Sequence, residues 1–272
     1  MRRFIRWYLD QLSKACPPAL SNCDKKGAIA MPSKRRLLDL FCGAGGCTKG
    51  YQRAGFYVRG VDHKRQPRYC GEEFIQADAL EYLSALIDSG EIEEFQAAHA
   101  SPPCQADSNG RNYGGKKRLE PDRYPRLIGP TRALLQPLNL LWVLENVIGA
   151  ADQLSYPTMI CGTALGLRVQ RHRLFESNLR LFAPYPCQHR PFDVSVRRRR
   201  AEFLLAYQDA TTAKGQQVRR PLSCSIKIAR DAMGIDWMNF EELGEAIPPA
   251  YTEWIGEQLL SAIQAQEDRH AL

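Results

Sequence analysis

Leu37-Leu38-Asp39-Leu40-Phe41-Cys42-Gly43-Ala44-Gly45-Gly46 is an apolar run of strand length that passes directly into a glycine-rich turn. Thr48 to Ala54 then has the character of a helix, so the stretch predicts strand, turn and helix in immediate succession. The same rhythm repeats downstream. Leu37 to Phe41, Tyr57 to Val61, Phe95 to Ala100 and Leu141 to Leu144 predict buried strands, with a weaker one at Phe74 to Gln76, each followed by a turn or helical segment. Strands alternating with helices imply right-handed crossovers, and hence an α/β fold with a doubly wound, mostly parallel sheet covered by helices on both faces. Met159 to Cys161 and Leu174 to Glu176 are candidates for further strands.

The chain has 272 residues, 44% of them hydrophobic and 25% charged, which suits one large domain with a small appendage. Disorder, collagen and coiled coil are excluded by composition, and no apolar run approaches the roughly 18 residues of a membrane span. Nine cysteines form no close CxxC pair, as expected of reduced thiols in a cytoplasmic protein. With 37 Lys and Arg against 30 Asp and Glu the formal charge is +7, compatible with a polyanionic partner without requiring one. Four regions follow from the pattern: an N-terminal extension (1–36), a catalytic and cofactor-binding domain (37–177), a small inserted module (178–222) and a C-terminal segment that completes the catalytic domain (223–272). The extension carries Arg2, Arg3 and Arg6 among Phe4, Ile5 and Trp7, which is no signal peptide; Met31 just before the first strand is a candidate alternative start, a surface helix at Phe4 to Leu12 being the plainer reading of the segment. The module opens with Pro184, Pro186 and Pro191 and contains the run Arg197 to Arg200. Helical periodicity returns at Ile226 to Met233, and Tyr251, Trp254, Ile255, Leu259 and Ile263 set one apolar stripe on a closing helix.

A glycine turn after a first strand serves either as a structural tight turn or as a cradle that lets the backbone approach a ligand. Asp62 at the end of the second strand can accept from both hydroxyls of a ribose, and Asp78 near the third can bond an adenine amine. No Lys-Ser or Lys-Thr pair follows the glycines, which disfavours a phosphate loop and favours a nucleoside without phosphates, such as S-adenosylmethionine. Ser101-Pro102-Pro103-Cys104-Gln105 follows a buried strand, so Cys104 falls at the carboxyl edge of the sheet on a backbone stiffened by two prolines, as a nucleophile or a structural thiol. Glu145 and Asn146 end the next strand on the same edge. Arg171 and Arg173 are two apart, on one side of a strand by period two.

Taken together and in this order, the turn Asp39 to Gly46, Asp62, Asp78, Ser101 to Gln105, Glu145-Asn146-Val147, Arg171-His172-Arg173 and Gly244 to Pro249 resemble the ordered motifs of the cytosine-5 DNA methyltransferases. The resemblance covers about residues 37–177 and 223–264. It implies a Rossmann-like methyltransferase sheet with S-adenosylmethionine as cofactor. Phe41 would stack on the adenine, Asp62 hold the ribose and Asp78 the adenine, with Gly43, Gly45 and Gly46, Pro103 and Glu245 also around the cofactor. Cys104 would add to carbon 6 of a flipped-out cytosine while Glu145 binds ring nitrogen 3 and the exocyclic amine, with Asn146 ordering the strand end and Arg171 and Arg173 binding the base or positioning Cys104 and Glu145.

On the same resemblance, the stretch from Ser108 through Arg111 to Lys116, Lys117 and Arg118 becomes a loop closing over DNA, a solvated loop being its plainer reading. Arg197 and Arg198 follow a phosphate backbone or simply a solvated face. The implied partners are DNA, with a cognate restriction endonuclease as in restriction-modification, and the chain is expected to be a monomer acting in a bacterial or virus-infected cell, as compact virus-encoded or orphan members do. Three positions depart from the family pattern: Asp107, Gln170 and Glu245. A transfer RNA cytosine methyltransferase branch shares the Pro-Cys and Glu-Asn-Val elements, and a catalytically silent nucleic-acid-binding relative is the reading from another class. No metal is expected, since Cys187 and His189 are too close together and too few for a zinc site.

Overall fold

The computed structural model describes residues 35–103, 126–190, 194–197, 202–211, 217–223 and 225–271, the strands between 194 and 223 by their backbone. The chain falls into two units, Met1–Ser33 and Lys34–Leu272. The first, with Met31 and all of the predicted extension up to residue 34, lies outside the described residues, Arg36 already belongs to the first strand, and the architecture is that of the second.

Seven strands form one sheet: β1 (Arg36–Leu40), β2 (Tyr57–Asp62), β3 (Glu73–Gln76), β4 (Ala97–Ala100), β5 (Leu141–Asn146), β6 (Thr158–Cys161) and β8 (His172–Ser177), in the order β3-β2-β1-β4-β5-β8-β6. Strands β3, β2, β1, β4 and β5 are parallel neighbours, whereas β8 runs antiparallel to both β5 and β6. The order reverses at β1, so the carboxyl ends of β1 and β4 flank the switch point at which open α/β sheets bind ligands. The predicted strand from Phe95 starts two residues later, because Phe95 ends a 3₁₀ turn at Glu91–Glu94.

Both sheet faces are buried, which is why β1 and β5 read as continuous apolar runs. Leu38, Leu40, Ala98, Trp142 and Leu144 face α2 (Ala79–Ser89) and α3 (Ile128–Leu135). Leu37, Val58, Ala97 and Val143 face α1 (Gly46–Ala54) and the long C-terminal helix α6 (Pro249–His270). The stripe predicted for α6 is the one it buries: Tyr251, Ile255, Leu259 and Ile263. It lies close on α1 because a Cβ at Gly50 would fall 2.1 Å from the Pro249 carbonyl oxygen and one at Gly256 would fall 2.6 Å from the Ala54 Cβ. Arg132 of α3 reaches Glu176 of β8 with two bonds of 2.6 Å, fastening the helix to the antiparallel strand.

Within the predicted module lie β9 (Val194–Arg197), β10 (Glu202–Thr211) and β11 (Gln217–Ser223), an antiparallel set that continues through β9 onto β7 (Val169–Gln170). A third apolar cluster joins β7 to α4 (Ile226–Met233) and α5 (Phe240–Glu245) through Val169, Ala229, Met233 and Leu243. Ser225 caps α4, and Asn239 with Glu242 forms a capping box at the start of α5. Among the described residues no helix is long and apolar enough to cross a membrane.

Candidate functional site

A cavity of about 510 Å³ opens at the carboxyl edge of the sheet. One part of its wall is the glycine turn with Asp39, Phe41, Gly43, Gly46 and Asp62; another is Ser101, Pro102, Pro103 and Glu145; Arg171, Arg173 and Glu245 close it. Residues from six separate stretches of sequence thus meet in one space.

The turn is built for close approach. Phe41 and Gly43 both take positive φ, 60° and 51°, and a left-handed Phe is a costly conformation held only by its surroundings. Nothing lies within 4 Å of where a Gly43 Cβ would be, so its backbone faces open space. The other two glycines serve packing. Gly45 caps α1 and would drive a Cβ to 2.8 Å from the Cys70 sulfur, and it is absent from the cavity wall; Gly46 would place one 2.4 Å from the Ile247 carbonyl. Asp62 accepts from the Gly43 N–H at 3.0 Å and from the Lys64 N–H at 2.9 Å, so it braces the turn as well as lining the cavity.

Asp78 is placed differently from what the resemblance implies. It is exposed, caps α2 by accepting from Leu80 and Glu81, and does not line this cavity. The Asp78-Ala79-Leu80-Glu81 spacing is an N-cap signal in its own right.

On the opposite wall Glu145, 5% exposed, pairs with the Arg173 Nε at 3.0 Å. Burial raises its carboxyl above the ordinary range, opposed by Arg173, a Ser101 hydrogen bond and Arg171. Asn146 donates to the Pro102 carbonyl at 3.1 Å and accepts from Val147, tying the end of β5 to the loop after β4. It positions that loop and is not itself on the cavity wall. Arg171 falls at the joint where the chain leaves β7 and enters β8, so the two arginines do not share one continuous strand; its guanidinium donates to the Gly244 carbonyl at 2.9 Å. Glu245 ends α5, exposed on the cavity rim. Gln170 lines the cavity and donates to the Arg190 carbonyl.

Two residues not singled out from sequence stand at the site or directly behind it: Asp39 on the cavity wall and His99 behind Ser101. Asp39, wholly buried, accepts from the Thr48 hydroxyl at 2.6 Å, and its other oxygen has no hydrogen-bond partner among the described residues. His99 is fully buried in β4, with Tyr51 Oη 2.9 Å from Nδ1 and Ser101 Oγ 2.8 Å from Nε2. A lone polar residue in Ala97-Ala98-His99-Ala100 is the available signal. Burial drives its imidazole down to about 3, so it stays neutral. The thiols of Cys42 and Cys47 also line the cavity, and burial pushes both well above the ordinary thiol range, which leaves them protonated and poorly nucleophilic.

Cys104, Asp107, Ser108, Arg111, Lys116, Lys117, Arg118 and Arg198 lie outside the described residues. Arg197 ends β9, paired with Glu202 of β10.

The overall fold has counterparts among solved structures. A candidate DNA modification methyltransferase encoded within an Escherichia coli prophage superposes with a TM-score of 0.52 at 16% identity, over 84% of this chain and 99% of that one. This is a methyltransferase fold. The Schizosaccharomyces pombe Dnmt2 methyltransferase aligns at TM-score 0.51 and 13% identity over 84% and 99% of the two chains. The Entamoeba histolytica methyltransferase EhMeth gives 0.51 and 11% over 85% and 99%. No family model matches the sequence, and no curated protein matches it. At these identities the likeness concerns the fold, and the methyltransferase-fold chain owes its functional reading to its own residues.

Sequence alone offers two potential metal ligands in the module, Cys187 and His189. The fold corrects that count to four, since Cys161 and His172 come together with them. Register explains it: β6 and β8 pair so that Cys161 faces His172.

Proposed function

We propose that the chain methylates carbon 5 of cytosine in DNA, using S-adenosylmethionine and a transient covalent bond from Cys104. What supports this reading above all is that a buried Glu145, its carboxyl raised by burial, shares one cavity with a ligand-accessible glycine turn.

The residues present suit the cofactor. Gly43 offers backbone toward open space, Asp62 stands beside it as an acceptor, and Phe41 is held at the cavity wall in a left-handed conformation. S-adenosylmethionine, when bound, supplies an electrophilic methyl group. Phe41, Gly43 and Asp62 would hold it.

The protein's own part is nucleophile and proton management. Cys104 follows directly on Pro103, a cavity residue, and the Asn146 bond to Pro102 fixes the approach of that segment. Adding the Cys104 thiolate to ring carbon 6 pushes an electron pair toward carbon 5 and nitrogen 3. Glu145, whose carboxyl holds its proton more tightly than an exposed acid, donates to nitrogen 3 and accepts from the exocyclic amine. Arg173 orients Glu145, and Arg171 ties this wall to the Gly244 backbone. After methylation, loss of the carbon 5 proton and departure of the Cys104 thiolate restore the aromatic ring.

The test is methyl transfer from labelled S-adenosylmethionine to duplex DNA and, in parallel, to transfer RNA. Label in DNA that disappears in Cys104→Ala is the expected result. Label only in transfer RNA would move the substrate to RNA, and a Cys104→Ala chain transferring at the wild-type rate would sink the covalent step.

A further inference from the structure

We infer that Cys161, His172, Cys187 and His189 form a structural zinc site. The four donor atoms all lie within 4.8 Å of one another, although the residues come from three different places in the chain. Cys161 ends β6, His172 begins β8, and Cys187 and His189 belong to the irregular stretch that leads from β8 into the module.

Two of the donor–donor distances match the edges of a coordination shell. With Zn–S bonds of about 2.3 Å and Zn–N bonds of about 2.0 Å, the sulfur–nitrogen edge of a tetrahedron is about 3.5 Å. Cys161 Sγ lies 3.4 Å from His189 Nε2, and Cys187 Sγ lies 3.6 Å from His172 Nε2. The two imidazoles meet edge to face, centroids 5.0 Å apart. Two thiolates and two imidazoles select zinc among common divalent cations, and two thiolate charges balance the ion. Four protein ligands leave no open position for a substrate, which makes the site structural rather than catalytic.

Its place in the fold says what it would hold. His172 stands between Arg171 and Arg173, both on the cavity wall, so a metal at His172 fixes the segment that presents them. Cys187 and His189 are followed at once by Arg190, whose carbonyl accepts from Gln170 of β7. The metal thereby staples the start of the module to the end of the main sheet, at the point where the chain passes from one sheet to the other. Such a staple replaces a hydrophobic core that this short stretch, with exposed Phe182 and Tyr185, does not build.

The inference does not depend on the reaction proposed above, and its test uses no activity. The full chain is expressed in zinc-supplemented medium, dialysed under reducing conditions and assayed by elemental mass spectrometry. Close to one zinc per chain is expected, falling to background in Cys161→Ser and Cys187→Ser. His189→Ala separates metal loss from misfolding, because His189 is exposed; it should lose zinc on mild chelation while keeping its far-ultraviolet circular dichroism. Replacing zinc with Co²⁺ should give the visible bands and thiolate charge transfer of a tetrahedral S₂N₂ site. Zinc no higher in the wild type than in the Cys161→Ser, Cys187→Ser double variant would overturn the assignment. So would recovery of Cys161 and Cys187 joined as a disulfide from protein kept reduced throughout.

Discussion

Replacing Asp39 by Asn should make the protein more resistant to unfolding as the pH rises. Asp39 is wholly buried in β1 beside the glycine turn, with one oxygen bonded to Thr48 and the other without a hydrogen-bond partner among the described residues. Burial raises its carboxyl from 3.8 to about 7, Thr48 opposing and Asp62 adding to the rise. Because the folded value is the higher one, the native state holds a proton that the unfolded chain has already lost between about pH 4 and 7. The contribution to stability is therefore full below pH 4 and is lost as pH rises through 7. A difference of about 3 pH units at about 1.4 kcal/mol each amounts to about 4 kcal/mol above pH 7. The substituted amide would keep an acceptor for Thr48 and remove the titration. Its amide protons, if left unpaired, cost a fixed about 1 to 3 kcal/mol at every pH, so the slope and not the absolute value carries the test. Urea unfolding of both proteins at pH 5 and pH 8 should show the variant gaining about 2.5 kcal/mol on the wild type across that interval. A gap that stays constant would mean the carboxyl is not held neutral by burial.

His99 carries the opposite sign. Its folded value of about 3 is depressed by burial, so the unfolded chain takes up a proton near pH 6.5 that the native state refuses, and stability falls by about 1.4 kcal/mol per pH unit as the solution is acidified. His99→Gln should flatten that acid limb in urea titrations at pH 4 and 6; an unaltered limb would show that His99 is not its source. Arg132→Ala leaves Glu176, 4% exposed, without its cation and should cost about 3 kcal/mol in thermal or urea unfolding, near the low end for a broken buried pair because Arg132 is itself partly exposed. Asp62→Ala removes the brace on the Gly43 N–H and should weaken S-adenosylmethionine binding, measured by calorimetry, by about 1 to 3 kcal/mol. Unchanged affinity would take Asp62 out of the cofactor site.

Much of this architecture is legible because its causes are local. The apolar runs at 37–41 and 141–144 can only be strands buried on both faces, and Leu37 and Leu38 do go to opposite helix layers. The glycine turn announces itself, although of its three singled-out glycines only Gly43 leaves open space for a ligand, and the others answer to Cys70 and Ile247, which lie far along the chain. Asp78 shows the converse: its nearest determinants, the Leu80 and Glu81 amides, are in plain sight and make it a cap.

What sequence withholds are groups defined by register. Period two along residues 169–175 places Arg171 and Arg173 on one side of a strand, but it cannot reveal that the chain changes sheets at Arg171, or that β8 inserts antiparallel beside β5 and so brings Arg173 to Glu145. The same insertion creates the cysteine and histidine quartet. Cys187 and His189 alone are a pair of surface residues, and zinc cannot be argued from them. Pairing β6 against β8 sets Cys161 opposite His172, and the return of the chain at 187–189 closes the group. One antiparallel strand in a parallel sheet thus supplies both the ion pair on the cavity wall and the four-residue cluster beside it. A metal lost from that cluster should therefore be felt at Arg173 and Glu145, because His172 and Arg173 are consecutive residues of β8.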